Sequence, residues 1–304
     1  MRCSYCMPKE EMQFMPSGNL MNANEVENFA KIFVGLGVNK IRLTGGEPLV
    51  RKDAGEIIRR LGKLSIELTL TTNGVFIDRF VDQIIEAGIS SVNLSIDSLQ
   101  RKRFFEITQR DSFDKVWANI QLLIKNNFHL KLNVVVMNGI NDDEILSFIH
   151  LTKDLPLHVR FIEFMPFAGN HWESKKVFPL QKILESANEE FDVIPIDHEK
   201  NSTAKKYFVK GFAGTFAVIS TMSTPFCADC NRLRLTADGK MKNCLFSKTE
   251  MDLLSRMRNG ENIDQFIREC LREKEKELGG QLRTDFIHLD PEKIENRSMI
   301  SIGG

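Results

Sequence analysis

Lys40-Ile41-Arg42-Leu43-Thr44-Gly45-Gly46-Glu47 reads as a short β-strand broken by two glycines and a carboxylate. Helical sequence follows at 53–62, and a second β-type run, residues 67–72, ends in Asn73-Gly74. The alternation continues with β-type runs at 92–96, 131–136 and 158–164, separated by helical segments at 78–87, 113–126 and 142–152. Parallel strands need crossovers of about a dozen residues, and helices of this length supply them. The expected class is therefore α/β, with βα repeats around a parallel sheet. Neither a short-period repeat nor low-complexity sequence interrupts it.

Each strand runs into small or polar residues: Thr44-Gly45-Gly46-Glu47, Thr71-Thr72-Asn73, Ser95-Ile96-Asp97 and Glu163-Phe164-Met165. Ligands of parallel α/β folds bind outside the carboxyl ends of the strands. Any one of these ends is also an ordinary helix cap or turn. Four in succession favour a site. From about Pro195 the pattern changes to short β-type runs at 207–209, 216–220, 232–236 and 240–246, then a helix predicted over 263–278. This predicts a first region at 1–195 and a smaller α+β cover at 196–304. The charged run at 272–277 reads as a solvated helix face, and the lone Cys270 on that helix as a buried core cysteine.

The 304 residues are 42% hydrophobic and 27% charged, ordinary for a globular chain. Lys plus Arg equals Asp plus Glu at 41 each, so no global field favours nucleic acid or an anionic membrane. An anionic ligand must be held by a local basic cluster. No apolar run approaches the ~20 residues that cross a bilayer. A basic-then-apolar leader is also absent from the N-terminal residues, and the expected location is the cytoplasm.

Five of the six cysteines fall into two clusters, Cys3 with Cys6, and Cys227 with Cys230 and Cys244. Thiolates spaced C-x₂-C inside a cell are metal or cluster ligands more often than disulfide partners. Asp238-Gly239 signals a two-residue hairpin turn. Folding about it pairs Ala237 with Lys240 and Leu233 with Cys244, so all three distal thiols are expected around one centre. Three thiolates without histidine suit an iron–sulfur cluster with an open iron, or a zinc site lacking its fourth ligand. Arg232 and Arg234, two apart on a predicted strand, share a face beside it and suit bidentate capture of phosphate or carboxylate. The plain alternative for that pair is a solvent-facing basic surface.

Cys3-x₂-Cys6 together with Cys227-x₂-Cys230 imitates a zinc ribbon, but ribbon pairs lie roughly 15–20 residues apart. The context is more specific. Cys3-Ser4-Tyr5-Cys6-Met7-Pro8, Arg42-Leu43-Thr44-Gly45-Gly46-Glu47-Pro48-Leu49, Leu70-Thr71-Thr72-Asn73-Gly74 and Asn93-Leu94-Ser95-Ile96-Asp97 occur in order. They are followed by Asn133-Val134-Val135-Val136, Arg160-Phe161-Ile162-Glu163-Phe164-Met165, the three distal cysteines and Gly303-Gly304. Over essentially the whole chain this resembles radical S-adenosylmethionine enzymes, and among them the GTP 3′,8-cyclases of molybdenum-cofactor biosynthesis.

The resemblance implies a partial (β/α)₆ barrel, residues 1–195, closed by the C-terminal region. It implies two 4Fe–4S clusters, one on Cys3 and Cys6 and one on Cys227, Cys230 and Cys244. Tyr5, Gly46, Ser95 and Met165 would bind S-adenosylmethionine, while Arg42, Thr71, Lys131, Arg160, Arg232 and Arg234 would bind GTP, the last two also acting in catalysis. A radical drawn from the cofactor would take the ribose 3′ hydrogen, and the 3′ carbon would then attack C8 of guanine. Implied partners are GTP, the following enzyme (cyclic pyranopterin monophosphate synthase) and an electron donor such as flavodoxin or ferredoxin; a homodimer is among the implied assemblies. The terminal Gly303-Gly304 would reach into the barrel beside the substrate.

The family motif is C-x₃-C-x₂-C, and the position four before Cys3 falls before Met1. A start assigned too late, or a shortened sequence, is the expected cause. The first cluster is then expected to be weakly held, the barrel to lack its first strand, and the activity of the 304 residues to be impaired. Two other functions stay open at this point: a non-catalytic zinc- or cluster-stabilised nucleotide-binding protein, and a radical enzyme that modifies a peptide.

Overall fold

Residues 1–7, 15–197, 200–282 and 285–302 are described by a computed structural model. The alternation becomes β1 (Lys40–Leu43), β2 (Glu67–Thr72), β3 (Ser91–Ser95), β4 (His129–Val136) and β5 (His158–Glu163), each parallel to the next. Helix α1 (Ala23–Gly35) precedes them. The crossovers are α2 (Ala54–Leu61), α3 (Ile77–Glu86), α4 (Arg101–Thr108), α5 (Phe113–Lys125) and α6 (Ile145–Asp154), and α7 (Leu180–Glu190) leaves β5. The α/β class and the parallel sheet are as expected. Among the described residues β1 forms one edge.

Past the boundary expected at 195–196 the same sheet continues. Strands β6 (Val193–Pro195), β7 (Lys205–Val209) and β8 (Thr215–Ile219) complete the order β1-β2-β3-β4-β5-β8-β7-β6. Strand β8 is parallel to β5, whereas β6 and β7 run antiparallel to their neighbours. The compositional change at Pro195 thus coincides with a change of strand direction inside one sheet. A second sheet holds β9 (Arg234–Leu235), β10 (Lys240–Lys242) and β11 (Met251–Asp252), followed by α8 (Leu253–Arg258), α9 (Asp264–Arg272) and α10 (Met299–Ile302). It docks on α1 through Phe29, Met241, Leu253, Leu254 and Ile267, and Cys270 is buried in that contact, as expected.

Strand β4 shows what orients the site. Leu130, Leu132, Val134 and Val136 are buried toward the helices, so Lys131 and Asn133, one residue out of phase, face the other side of the sheet. The same alternation turns Arg160 inward on β5, where it pairs in register with Asn133.

Two expectations are corrected. The helix predicted over 263–278 ends at Arg272, because Lys274 leaves the helical path to bond backbone carbonyls of the cysteine loop. The distal hairpin is also one residue out of the expected register: Leu235 pairs with Met241 and Arg234 with Lys242. Its loop has three residues, closed by Thr236 N–H on the Lys240 carbonyl at 2.9 Å, with Gly239 in the left-handed region at φ 71°. The Thr236 hydroxyl also accepts the Lys240 N–H at 3.0 Å, so an Asp-Gly pair becomes part of a longer, glycine-bulged turn.

Candidate active site

The N-terminal cysteine loop is laid against the end of α4 by Arg2 N–H on the Thr108 carbonyl at 2.8 Å and Ser4 N–H on the Ile107 carbonyl at 3.0 Å. A turn in which Met7 N–H reaches the Cys3 carbonyl at 2.8 Å brings Cys3 and Cys6 together. Their mutual hydrogen bond, with burial, holds the Cys3 thiol well above its ordinary range. Tyr5 points across the loop and donates to Asp97 Oδ2 at 2.8 Å. Asp97 is buried beyond the end of β3, accepts Val135 N–H at 2.9 Å, and is pushed up to about 6 by that burial.

Beside it lies the loop after β1. Glu47 accepts Leu49 N–H at 3.1 Å, the Thr72 hydroxyl at 2.8 Å and Asn73 N–H at 2.7 Å, tying the Gly45-Gly46 turn to the end of β2. A Cβ on Gly46 would stand 3.8 Å from Met7 and 3.9 Å from the Ile300 carbonyl, so the first cysteine loop and the C-terminal segment both border this glycine. Ser95 ends β3 and pairs in register with Asn133.

Tyr5, Met165, Cys227 and Cys244 all pack against one apolar cluster that includes Phe164, Trp172 and Phe246. Tyr5, which stands between Cys3 and Cys6, and the distal Cys227 and Cys244 therefore border a common floor. Cys227, Cys230 and Cys244 are half-buried, free of disulfides, and close enough for the charges of Cys244 and Cys230 to raise the Cys227 thiol further, after burial. Two N–H donors point at these sulfurs: Leu278 N at 3.3 Å from Cys227 Sγ, and Lys274 Nζ at 3.8 Å from Cys230 Sγ. Donors aimed at sulfur favour the thiolate form that a metal requires. Among the described residues no three His, Cys, Asp or Glu side chains form a set able to hold a single ion. Three thiolates with no histidine among them match the donor chemistry of an iron–sulfur cluster that keeps one iron open.

The inward cations converge. Arg160 donates to Asn133 Oδ1 through Nε and Nη2, and burial, then Arg42 and Arg232, bring it down to about 9. Burial, then Arg232, lowers Arg234 to about 10. Lys131 falls to about 8 through burial and then Arg160, Lys40 and Arg42. Arg42 donates to Thr69 at 3.4 Å, and Arg232 to the buried Thr203 hydroxyl at 2.6 Å. Thr71 accepts from Asn93 at 3.0 Å in the same row of the sheet as Lys131. Cations that depress one another in this way are arranged for a polyanion.

Two family descriptions match the chain: the Radical SAM superfamily over residues 1–152, and Molybdenum Cofactor Synthesis C over 157–279. The chain is 40% identical over 311 aligned positions to the mitochondrial GTP 3′,8-cyclase of Arabidopsis thaliana, covering 100% of this chain and 78% of that one. It is 38% identical over 313 positions to the GTP 3′,8-cyclase of Listeria monocytogenes, covering 100% and 93%. The chain belongs to the GTP 3′,8-cyclase family of radical SAM proteins. Against molybdenum cofactor biosynthesis protein 1 of Homo sapiens the identity is 42% over 272 positions, 88% of this chain but only 43% of that longer protein. Streptococcus suis SuiB bound to S-adenosylmethionine has the same fold, with TM-score 0.64, 14% identity, and coverage of 98% of this chain and 70% of its own.

In this member of the GTP 3′,8-cyclase family the structure gathers Arg42, Lys131, Arg160, Arg232 and Arg234 into one cationic group, with Thr71 in the row that carries Lys131. Arg232, expected on a strand with Arg234, lies just before β9, yet both sense Arg42 and Cys230. Pro8 and the pair Gly303-Gly304 lie outside the described residues. Sequence reading missed the roles of Asn133 and Asp97 as anchors of Arg160 and Tyr5. Period-two alternation with Lys131 could have found Asn133. For Thr203 and Lys274 no local signal existed. Among the described residues no helix is long and apolar enough to cross a membrane.

Proposed function

We propose that the chain converts GTP to (8S)-3′,8-cyclo-7,8-dihydroguanosine 5′-triphosphate, the first step of molybdenum-cofactor biosynthesis. One observation carries this reading: Arg42, Lys131, Arg160, Arg232 and Arg234 form one linked cationic group that reaches the distal cysteines, whose apolar floor also seats Tyr5 of the first cysteine loop. A triphosphate satisfies such a group, whereas a peptide backbone does not. Cys3 and Cys6 would hold one 4Fe–4S cluster, and Cys227, Cys230 and Cys244 the other. When bound and reduced, the first cluster supplies the electron that cleaves S-adenosylmethionine and so the power to remove a hydrogen atom from ribose C3′.

The protein's own part is positioning. Asp97 fixes Tyr5 over the first loop, Glu47 fixes the turn bearing Gly46, and Ser95 and Met165 complete the side assigned to S-adenosylmethionine. Asn133 aims Arg160, and Thr203 aims Arg232, toward the phosphates, with Arg42, Thr71, Lys131 and Arg234 around them. Residues 196–304 we assign as the second-cluster and substrate-binding region. On this reading the protein works in the cytoplasm, takes electrons from a flavodoxin- or ferredoxin-like donor, and passes its product to cyclic pyranopterin monophosphate synthase.

The test is anaerobic reconstitution with iron and sulfide, then GTP, S-adenosylmethionine and reductant. Cyclised triphosphate should form in proportion to the iron held by the first cysteine set. Saturable GTP binding with that iron in place and no product would leave only a nucleotide-binding protein.

A further inference from the structure

Residues 272–277 carry six consecutive charges, the pattern of a solvated helix face. The structure departs from it at one residue. In the run 271–277 only Lys274 is withdrawn from solvent to half-buried; its neighbours are exposed. Its ammonium donates to the Cys230 carbonyl at 2.7 Å and the Arg232 carbonyl at 3.3 Å, and stands 3.8 Å from Cys230 Sγ. Two carbonyls flanking Asn231 hold the ammonium on the cysteine loop, and an ammonium has a third proton for the sulfur.

The residues that follow are built onto the same thiolates. Leu278 is buried with φ at 45°, a region that side chains rarely adopt, and in that conformation its N–H meets Cys227 Sγ at 3.3 Å. Gly279, at φ 66°, sits where a Cβ would lie 2.4 Å from the carbonyl carbon and oxygen of Phe246, two residues after Cys244. The segment thus touches the surroundings of all three distal cysteines and places a positive charge against one sulfur.

We propose that Lys274 is a positioning residue of the distal cluster whose charge makes that cluster easier to reduce. This rests on the reading above that Cys227, Cys230 and Cys244 hold an iron–sulfur group. Hydrogen bonds to cluster sulfurs and nearby charge are the protein's main controls on cluster potential, and a charged donor is the stronger kind.

Three full-length variants separate charge from scaffolding: Lys274→Arg keeps charge and donors, Lys274→Gln keeps a neutral donor, and Lys274→Met keeps neither. Iron content and the midpoint potential of the distal cluster are measured by anaerobic titration, with the distal signal identified as the one lost in Cys244→Ser. Lys274→Gln and Lys274→Met should lower the one-electron reduction constant at least tenfold, which is about 59 mV, while Lys274→Arg stays within threefold of the parent. Loss of distal iron in both neutral variants but not in Lys274→Arg also supports the charge role. Full iron at the parent potential in Lys274→Gln or Lys274→Met overturns it, as does loss of iron in all three variants. If Cys244→Ser removes no iron or signal from the parent, the cluster reading itself fails and the proposal falls with it.

Discussion

Arg160 donates through both Nε and Nη2 to the single side-chain oxygen of Asn133, at 2.9 and 2.5 Å, across neighbouring strands. One carboxamide thereby holds one edge of a guanidinium that burial and neighbouring cations already disfavour. Asn133→Ala should leave the fold intact and raise the Kd for GTP tenfold or more. Hydrogen bonds to charged groups are worth about 1.5–3 kcal/mol, and about 1.4 kcal/mol is a factor of ten. Isothermal titration with GTP checks it; an unchanged Kd would place Arg160 outside the phosphate site.

Arg234 lies next to the distal cysteines and within reach of the charges of Arg232 and Arg42. With a cysteine supplied four positions before Cys3, Arg234→Ala should cut cyclisation at least tenfold while iron content and S-adenosylmethionine binding stay at parent values. Parent-level turnover in this variant would return the arginine to a structural role.

Asp97 gives a pH signature. Its buried carboxyl titrates at about 6 in the fold, against roughly 3.9 when unfolded. Between about pH 4 and 6 the folded state therefore binds the proton more tightly, so this group's contribution to stability falls as pH rises through that window and levels off above it. Denaturant titrations should show the parent losing on the order of 3 kcal/mol more than Asp97→Asn from pH 4 to 7. Parallel pH profiles for the two proteins would contradict the assignment.

Gly279→Ala should be strongly destabilising. Its Cβ would meet the Phe246 backbone at 2.4 Å, and the φ of 66° adds strain to any side chain. Overpacking and left-handed strain together suggest roughly 2–5 kcal/mol. Thermal unfolding should show a lowered Tm, and iron loss should come first from the distal set, because Phe246 follows Cys244 by two residues. A Tm equal to the parent's would mean that the 278–280 turn relaxes freely.

Much of this was legible in the chain. The parallel strands show as short β-type runs in which buried apolar residues alternate with polar ones, as in β4, and the strand ends show as polar breaks because the chain must turn there. Arg42, Lys131 and Arg160 stood out only through the resemblance of their motifs to the family's, whereas the cysteine spacings are local patterns, so they survive without knowledge of the fold. The hairpin register did not, since Asp-Gly closes both two- and three-residue loops. The choice fell to Thr236, whose hydroxyl bonds Lys240, and to the packing of Gly239 beneath Leu254, where a Cβ would lie 2.3 Å away. Nor did the end of α9, where charged residues favour helix continuation locally and only the carbonyls of Cys230 and Arg232 draw Lys274 away.

Sequence by itself determined the elements, their order and the α/β class, and singled out the candidate thiols and cations, since these depend on residue type, short-range spacing and motif resemblance. Tertiary structure alone decided which of them meet. Tyr5 finds Asp97, Arg232 finds Thr203 and Lys274 finds Cys230 across separations of 92, 29 and 44 residues. Contacts of that kind leave no local pattern, because only the order of the strands in the sheet and the docking of the C-terminal region bring the partners within reach.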